Sequence, residues 1–281
     1  MIIDGKKIAS DMISELKKQP YPKKFLGAVL VGENSASASF LKIKEKTAKE
    51  LNISFRLCEF SENIKQDELR NEVLKIAKHK TCGGVIVQLP LPEHIDKHRI
   101  LNAIPPEKDV DVLSERSLGA FYTGRNFVLP PAVGVLQKIL LTTHYSLLTS
   151  KVAIIGRGFL IGKPIVLWLQ DKVAELAIFA SKTENLKSKL KNFDIIISGV
   201  GKSNLFGVED IKENALVIDF GYSKNETGKL VGDFGNSKIE NWKLKIENLE
   251  LVYTPVPGGT GPILVAQLFE NFYQLNKKAS K

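Results

Sequence analysis

The sequence predicts an α/β fold of two domains, the later one a Rossmann-type nucleotide-binding domain. Three observations predict it. Helix-like and strand-like segments alternate along the 281 residues, the pattern of βαβ units around a parallel sheet. Several strands are short unbroken apolar runs, as expected where both faces of a sheet are covered. Finally, the stretch Lys151-Val-Ala-Ile-Ile-Gly156-Arg157-Gly158-Phe-Leu-Ile-Gly162-Lys163-Pro164 reads as a buried strand entering a glycine turn and then a helix.

Taken in order, Ile8 to Lys18 reads as a helix, Lys24 to Val31 as a strand and Ser37 to Asn52 as a helix. Ser54 to Phe60 follows as a strand, Lys65 to Lys78 as a helix and Gly84 to Gln88 as a buried strand. A proline-punctuated, loop-rich zone runs from Leu89 to Gly124. A helix from Val133 to Leu141 then leads into the nucleotide strand. Asp194 to Gly199 and Ala215 to Asp219 continue the alternation. The turn residues Asn225 to Gly228 suggest a hairpin between Phe220–Tyr222 and Lys229–Val231. Val265 to Leu275 closes the chain as an amphipathic helix before a basic tail. The natural cut falls near residues 120–130, giving two α/β domains with a cleft between them.

The glycine turn suits a phosphate, because small residues let backbone N–H groups approach it and a helix N-terminus adds partial positive charge. Its spacing is Gly-x-Gly-x-x-x-Gly, one residue longer than the usual dinucleotide fingerprint. The next strand, Leu176 to Ala180, should end near the adenosine ribose, where NAD sites place an acid. Here Ser181-Lys182-Thr183 stand instead, with no carboxylate until Glu184. A hydroxyl and a lysine, with Arg157 in the turn, suit a 2′-phosphate, because a guanidinium can hold phosphate oxygens in a bidentate way. This favours NADP over NAD; the alternative is a Lys182 that points into solvent.

Composition narrows the partners. A hydrophobic fraction of 43% with 25% charged residues is that of a soluble globular protein, and no apolar run is long enough to span a membrane. The N-terminus lacks a secretory pattern. Cys58 and Cys82 are expected as free thiols in a reducing cytoplasm. The four histidines are scattered, so no metal site is predicted. The net charge of +9 raises nucleic acid as a partner, but the lysines interleave with acids and no arginine-rich arm or stacking platform accompanies them. The same charge suits steering of an anionic small molecule.

Four segments are candidates for the cleft. Phe40 and Lys44 are spaced i, i+4 and share a helix face, with Ile43 and Ala48 expected to flank the amine. A desolvated lysine has a lowered pKa and can act as a base; a solvated Lys44 like Lys42 and Lys46 is the alternative. Gln88 follows Val87 at the C-terminal end of a buried strand, where open sheets bind ligands, and leads into Leu89-Pro-Leu-Pro. Lys108-Asp109-Val110-Asp111 carries two acids which, in an extended segment, point the same way. Thr254 to Pro262 holds three prolines and three glycines, a stiffened loop suited to backbone contact with a flat ligand.

Together these segments resemble the bifunctional methylenetetrahydrofolate dehydrogenase/cyclohydrolase family. The resemblance runs the whole length and keeps motif order: Lys44, Val87 to Pro92, Lys108 to Asp111, Gly156-Arg157 with Gly162 to Pro164, Ser181 to Thr183, Val217 to Asp219 and Thr254 to Pro262. It implies a folate-binding catalytic domain over residues 1–122, completed by a C-terminal helix at 265–281, and an NADP domain over 123–264. It implies a cytoplasmic homodimer in one-carbon metabolism, serving purine, methionine and histidine biosynthesis, with its active site in the interdomain cleft. By this resemblance Lys44, Gln88 and Asp111 are catalytic. Phe40, Lys44, Val87, Gln88, Leu89, Asp111, Pro257, Gly258, Gly259, Thr260 and Gly261 contact the folate, and Gly156, Arg157, Gly158, Ser181 and Tyr222 surround NADP. The acidic polyglutamate tail of folates suits the basic chain. No nucleic-acid or membrane partner is implied.

The chain departs from the family pattern at several points. Phe40 replaces a tyrosine, which keeps the ring and loses the hydroxyl. Leu129-Pro-Pro-Ala-Val-Gly134 lacks the usual cysteine and threonine. Val112 replaces a glycine, Gly158 a serine, and Ala180 a histidine; Thr260, Ile263 and Leu264 replace Val, Met and Thr. Two alternatives follow: a dehydrogenase with weak cyclohydrolase, or a paralogue that binds without turnover.

Overall fold

The computed structural model describes residues 1–33, 35–235 and 251–277. The basic tail expected after the last helix lies almost wholly beyond 277, outside the described residues. Two compact units are present: Ser10–Pro131 with the chain from Val265 onward, and Met1–Ala9 with Ala132–Leu264.

The first unit is built on a three-stranded parallel sheet in the order β2-β1-β3, with β1 at Phe25–Val31, β2 at Phe55–Phe60 and β3 at Cys82–Val87. Every residue of β1 and β3 is buried, whereas the edge strand β2 has half-buried and exposed residues only. Helix α1 (Gly5–Lys17) leads into β1, and α2 (Ser35–Glu50) and α3 (Gln66–Lys78) supply the βαβ connections. Cys58 and Cys82 sit on strands to either side of β1 and are free thiols. Burial pushes both upward from the ordinary thiol value, which leaves them poor nucleophiles.

The zone read as loop contains two helices, α4 (Lys97–Leu101) and α5 (Glu115–Tyr122), and a single 3-10 turn at Pro106–Lys108. Each helix starts where a side chain accepts a backbone N–H: Asp96 from His98, Ser114 from Ser117. Both are too short to show helical periodicity in sequence.

The second unit follows α6 (Pro131–Leu141) and has a five-stranded parallel sheet. Its strands are β4 (Lys151–Ile155), β5 (Glu175–Phe179), β6 (Ile195–Ser198), β7 (Leu216–Asp219) and β10 (Val252–Tyr253), in the order β10-β7-β6-β4-β5. The chain therefore leaves β4 for β5 on one side and then crosses to β6 on the other. That reversal puts a topological switch point at the C-terminal ends of β4 and β6, where doubly wound sheets bind ligands. Residue Ile2 adds a parallel bridge to Tyr253 at the outer edge. The core gathers Ala153, Ile155, Phe193, Ile196, Phe206 and Val217.

Helix α7 (Gly162–Leu169) begins at the third glycine of the turn, and the short α8 (Leu186–Leu190) had not been expected. Two expected boundaries move. The hairpin pairs β8 (Ser223–Lys224) with β9 (Leu230–Val231), not Phe220–Tyr222, because the backbone of Gly221 is taken by the Asp219 carboxylate. The last helix, α9 (Thr260–Asn276), already includes Thr260, Gly261 and Pro262, so the stiffened loop ends at Gly259. Proline is tolerated in a first helical turn, where its missing N–H costs nothing.

Candidate active site

In the first unit, α2 presents Phe40 and Lys44 on one half-buried face. Ala48 is fully buried, whereas Ile43 is 50% exposed. Strand β3 ends at the buried Val87, and Gln88 and Leu89 follow it, half-buried. Lys44 Nζ donates to Gln88 Oε1 at 3.1 Å. The amide is oriented by its other end, since Gln88 Nε2 donates to the Leu89 carbonyl at 3.0 Å, which leaves only the oxygen for the lysine.

Burial pushes the Lys44 ammonium below the usual lysine range, and the charge of Asp111 opposes that shift. Asp111 is pushed upward by burial, with Lys44 opposing and Asp109 adding to the rise. Lys44, Gln88 and Asp111 therefore form one electrostatic cluster, and a desolvated lysine is displaced toward its neutral, basic form.

The two acids do not sit on one extended segment as expected. The chain turns there, and Asp109, 1% exposed, accepts the N–H groups of Leu113 and Ser114 at 2.8–3.1 Å. Asp109 thus closes the turn that leaves Asp111 acting on Lys44. Within this turn Val112 has φ +56°, a left-handed conformation that is a genuine outlier for a β-branched residue. Asn271 of α9, fully buried, secures the same turn by donating to the carbonyls of Val110 and Leu129, both at 2.8 Å.

In the second unit the glycine turn has the shape a pyrophosphate requires. Gly156 has φ +104°, and a Cβ on Gly162 would lie 2.2 Å from the Gly156 carbonyl oxygen. No side chain caps the N-terminus of α7, where the Lys163 N–H donates to Gly158 O at 3.0 Å and Pro164 has no N–H to satisfy. Gly158 has open space around it and no left-handed φ, so a side chain is tolerated there. Arg157 is exposed at the turn, Ser181 is half-buried after β5, and Tyr222 is 41% exposed after β7. These residues fit a dinucleotide.

The loop Thr254–Gly259 is held on three sides. Gly259 N–H donates to Pro255 O at 2.8 Å; Asp219 N–H donates to the Thr254 hydroxyl at 2.7 Å; the Thr260 hydroxyl donates to Asp219 O at 2.8 Å. Gly5 packs so closely on Gly259 that a Cβ would lie 1.8 Å from its carbonyl oxygen. Sequence reasoning missed the buried carboxylates behind these loops, Asp219 and Asp233. Asp219 stood in a recognised motif without a role, and Asp233 carried no signal beyond a neighbouring glycine. Among the described residues, no cluster of His, Cys, Asp and Glu could hold a metal, and no helix is long and apolar enough to cross a membrane.

A parallel sheet whose switch point carries a glycine turn, together with a second unit bearing a desolvated lysine, defines a two-domain α/β nucleotide-dependent enzyme. Residues 3–111 match the tetrahydrofolate dehydrogenase/cyclohydrolase catalytic domain, and residues 130–280 match that family's NAD(P)-binding domain. A bifunctional protein FolD of Streptococcus agalactiae is 34% identical over 97% of this chain and 96% of its own. One from Brevibacillus brevis is 32% identical over 100% and 98%. The crystal structure of the Campylobacter jejuni enzyme superposes with a TM-score of 0.88 at 30% identity, covering 98% of both chains. A Trypanosoma brucei structure, complexed with NADP and an inhibitor, also gives 0.88, at 28% identity over 98% and 96%. The chain belongs to the tetrahydrofolate dehydrogenase/cyclohydrolase family. It is an enzyme carrying both that family's catalytic domain and its NAD(P)-binding domain.

Proposed function

We propose that this enzyme oxidises methylenetetrahydrofolate to the methenyl cation with NADP⁺ and hydrolyses that cation to formyltetrahydrofolate, with Lys44 as the group that moves protons. The observation that carries this reading is the Lys44–Gln88 hydrogen bond at 3.1 Å beside Asp111, in a chain matched by both family domains. NADP⁺, when bound, supplies the acceptor for the hydride that leaves the methylene carbon. Gly156, Arg157 and Gly158, with Ser181 and Tyr222, hold it.

In the hydrolytic step water adds to the methenyl carbon and gives up one proton; its second proton goes to the nitrogen that leaves as the C–N bond breaks and the formyl C=O forms. Neutral Lys44 spends an N–H on Gln88 Oε1 and keeps its lone pair for the first proton. Gln88 fixes the direction of the amine, and Asp111 anchors the polar edge of the pterin while setting how easily Lys44 gains charge. Phe40 stacks on the flat ring system, Val87 and Leu89 flank it, and Pro257, Gly258, Gly259, Thr260 and Gly261 present backbone to the folate. The unit of Ser10–Pro131 with the chain from Val265 makes the folate domain, and Met1–Ala9 with Ala132–Leu264 the NADP domain. The net charge of +9 suits a polyglutamylated folate. The assembly is a cytoplasmic homodimer feeding purine, methionine and histidine biosynthesis.

A non-catalytic paralogue is not favoured, since Lys44, Gln88 and Asp111 are all retained. The test is to assay methylenetetrahydrofolate with NADP⁺ and methenyltetrahydrofolate alone. Turnover of both supports the reading. Loss of only the second, recovered in Phe40→Tyr, would place the defect at the missing hydroxyl. Loss of both in folded protein would overturn it.

A further inference from the structure

We propose that Asp233 is a positioning residue for the cofactor: its carboxylate fixes the loop after β6 in the shape that backs the Gly156 turn. This rests on reading that turn as the seat of the NADP pyrophosphate.

Asp233 is 0% exposed and lies outside every motif that marks the site. Its Oδ2 accepts from the Ser198 hydroxyl at 2.6 Å and from Val200 N–H at 2.7 Å; its Oδ1 accepts from Lys202 N–H at 2.7 Å. One carboxylate therefore holds three successive alternate residues of the segment leaving β6. Charge-assisted bonds of this length are the strong class. The segment includes Gly201 at φ +74°, so the backbone reverses there and the carboxylate fills the inside of the bend.

The other face of that segment meets the glycine turn. Gly199 N–H donates to Ile155 O at 3.0 Å, the last residue of β4 before the turn. A Cβ on Gly156 would lie 3.1 Å from Gly199 O and 3.2 Å from a Val200 methyl; one on Gly199 would lie 2.7 Å from Ile161, just ahead of α7. Moving residues 199–201 therefore moves the wall against which the pyrophosphate turn rests. This is the switch point between β4 and β6.

Asp233 is itself held. Its own N–H and those of Gly221 and Phe234 go to the Asp219 carboxylate, while its carbonyl accepts from Leu205 N–H at 2.7 Å. A Cβ on Gly221 would lie 2.3 Å from Asp233 Oδ1, so the loop carrying Tyr222 closes over the same oxygen. Two loops at the cofactor site thus share one buried anion.

Asp233→Asn keeps the size and turns one acceptor into a donor facing a donor. We expect NADP⁺ dissociation, measured by calorimetry, to weaken by roughly tenfold or more. Hydrolysis of methenyltetrahydrofolate, which uses no cofactor, should stay within about twofold. Ser198→Ala, which removes one donor to the same carboxylate, should weaken NADP⁺ in the same direction by a few-fold. Unchanged NADP⁺ affinity in both variants overturns the proposal. So does a parallel loss of cofactor affinity and hydrolysis, which would mark Asp233 as a general fold residue. If Gly156→Val leaves NADP⁺ affinity intact while Asp233→Asn weakens it, the reading of the turn fails rather than the role of the carboxylate.

Discussion

The two buried polar clusters of this enzyme are built on opposite plans. Around Lys44 the amine donates to Gln88, and the carboxylate that acts on it, Asp111, has its own protonation shifted upward. Around Asp219 and Asp233 each carboxylate accepts three hydrogen bonds, five of the six from backbone. The first cluster leaves lone pairs and protons in play; the second spends most of its accepting capacity on holding loops. Strain follows the same division. Among the described residues of the second unit, every positive φ belongs to glycine or asparagine, while Val112 beside Asp111 is a buried β-branched exception. Backbone strain of this kind gathers at functional sites, whereas well-bonded carboxylates set the shape of loops.

The largest effect should come from Lys44→Met. Cyclohydrolase turnover is expected to fall by about 10²–10⁴-fold, the usual worth of a positioned acid–base group. NADP⁺ affinity and the melting temperature should hardly change. A Lys44→Met enzyme that still hydrolyses methenyltetrahydrofolate at the native rate would remove the contrast altogether.

Stability should show the reverse ranking. Asp219→Ala strands three buried N–H donors, at ~1–3 kcal/mol each, so urea unfolding should register a loss of several kcal/mol. Gln88→Ala removes two half-buried bonds, from Lys44 and to the Leu89 carbonyl, and should cost about 1–2 kcal/mol. Burial raises Asp219 from 3.8 to about 7, with Asp233 adding to the rise and its backbone hydrogen bonds opposing it. The folded chain therefore keeps a proton that the unfolded chain has lost. The stability tied to this group is greatest below 3.8, falls as pH rises, and is fully lost above about 7. Melts of the native chain and Asp219→Asn across that window should converge or cross as pH rises.

A subtler effect concerns the pH profile. Hydrolysis should rise with pH as Lys44 loses its proton. Because the Asp111 charge raises the Lys44 pKa, Asp111→Asn should move the midpoint of that rise to lower pH. A midpoint that does not move would detach Asp111 from the lysine.

The smallest effect tests the strain. Val110 and Val112 are both buried, but only Val112 has a left-handed φ. Val112→Gly should cost about 1–2 kcal/mol less than Val110→Gly in denaturant unfolding, the penalty an L-residue carries in that region.

Much of this was legible in sequence where the pattern is local. The strand, turn and helix around Gly156 follow from composition and spacing, and the i, i+4 relation of Phe40 and Lys44 is a property of any helix. The Asp109–Asp111 turn was misread because its shape is set by hydrogen bonds to Leu113 and Ser114 and by Val112, none of which alternation reveals. Asp233 was invisible because its partners, Ser198 to Lys202, lie more than thirty residues upstream. An isolated aspartate between two glycine-rich loops looks like an ordinary turn residue until the chain is folded.

Neither unit is a single stretch of polypeptide. The nucleotide-binding unit takes its first nine residues from the start of the chain, and the catalytic unit recovers the chain only from Val265. Cutting the gene between Pro131 and Ala132 therefore yields two fragments that each lack a piece of themselves. The upstream fragment carries off the Gly5 that locks Gly259, and the downstream one keeps the Asn271 that secures the Asp111 turn. Exchanging one unit with a relative demands a two-piece graft across three junctions, and inheritance of either activity alone is constrained by how the chain is spliced between its two bodies.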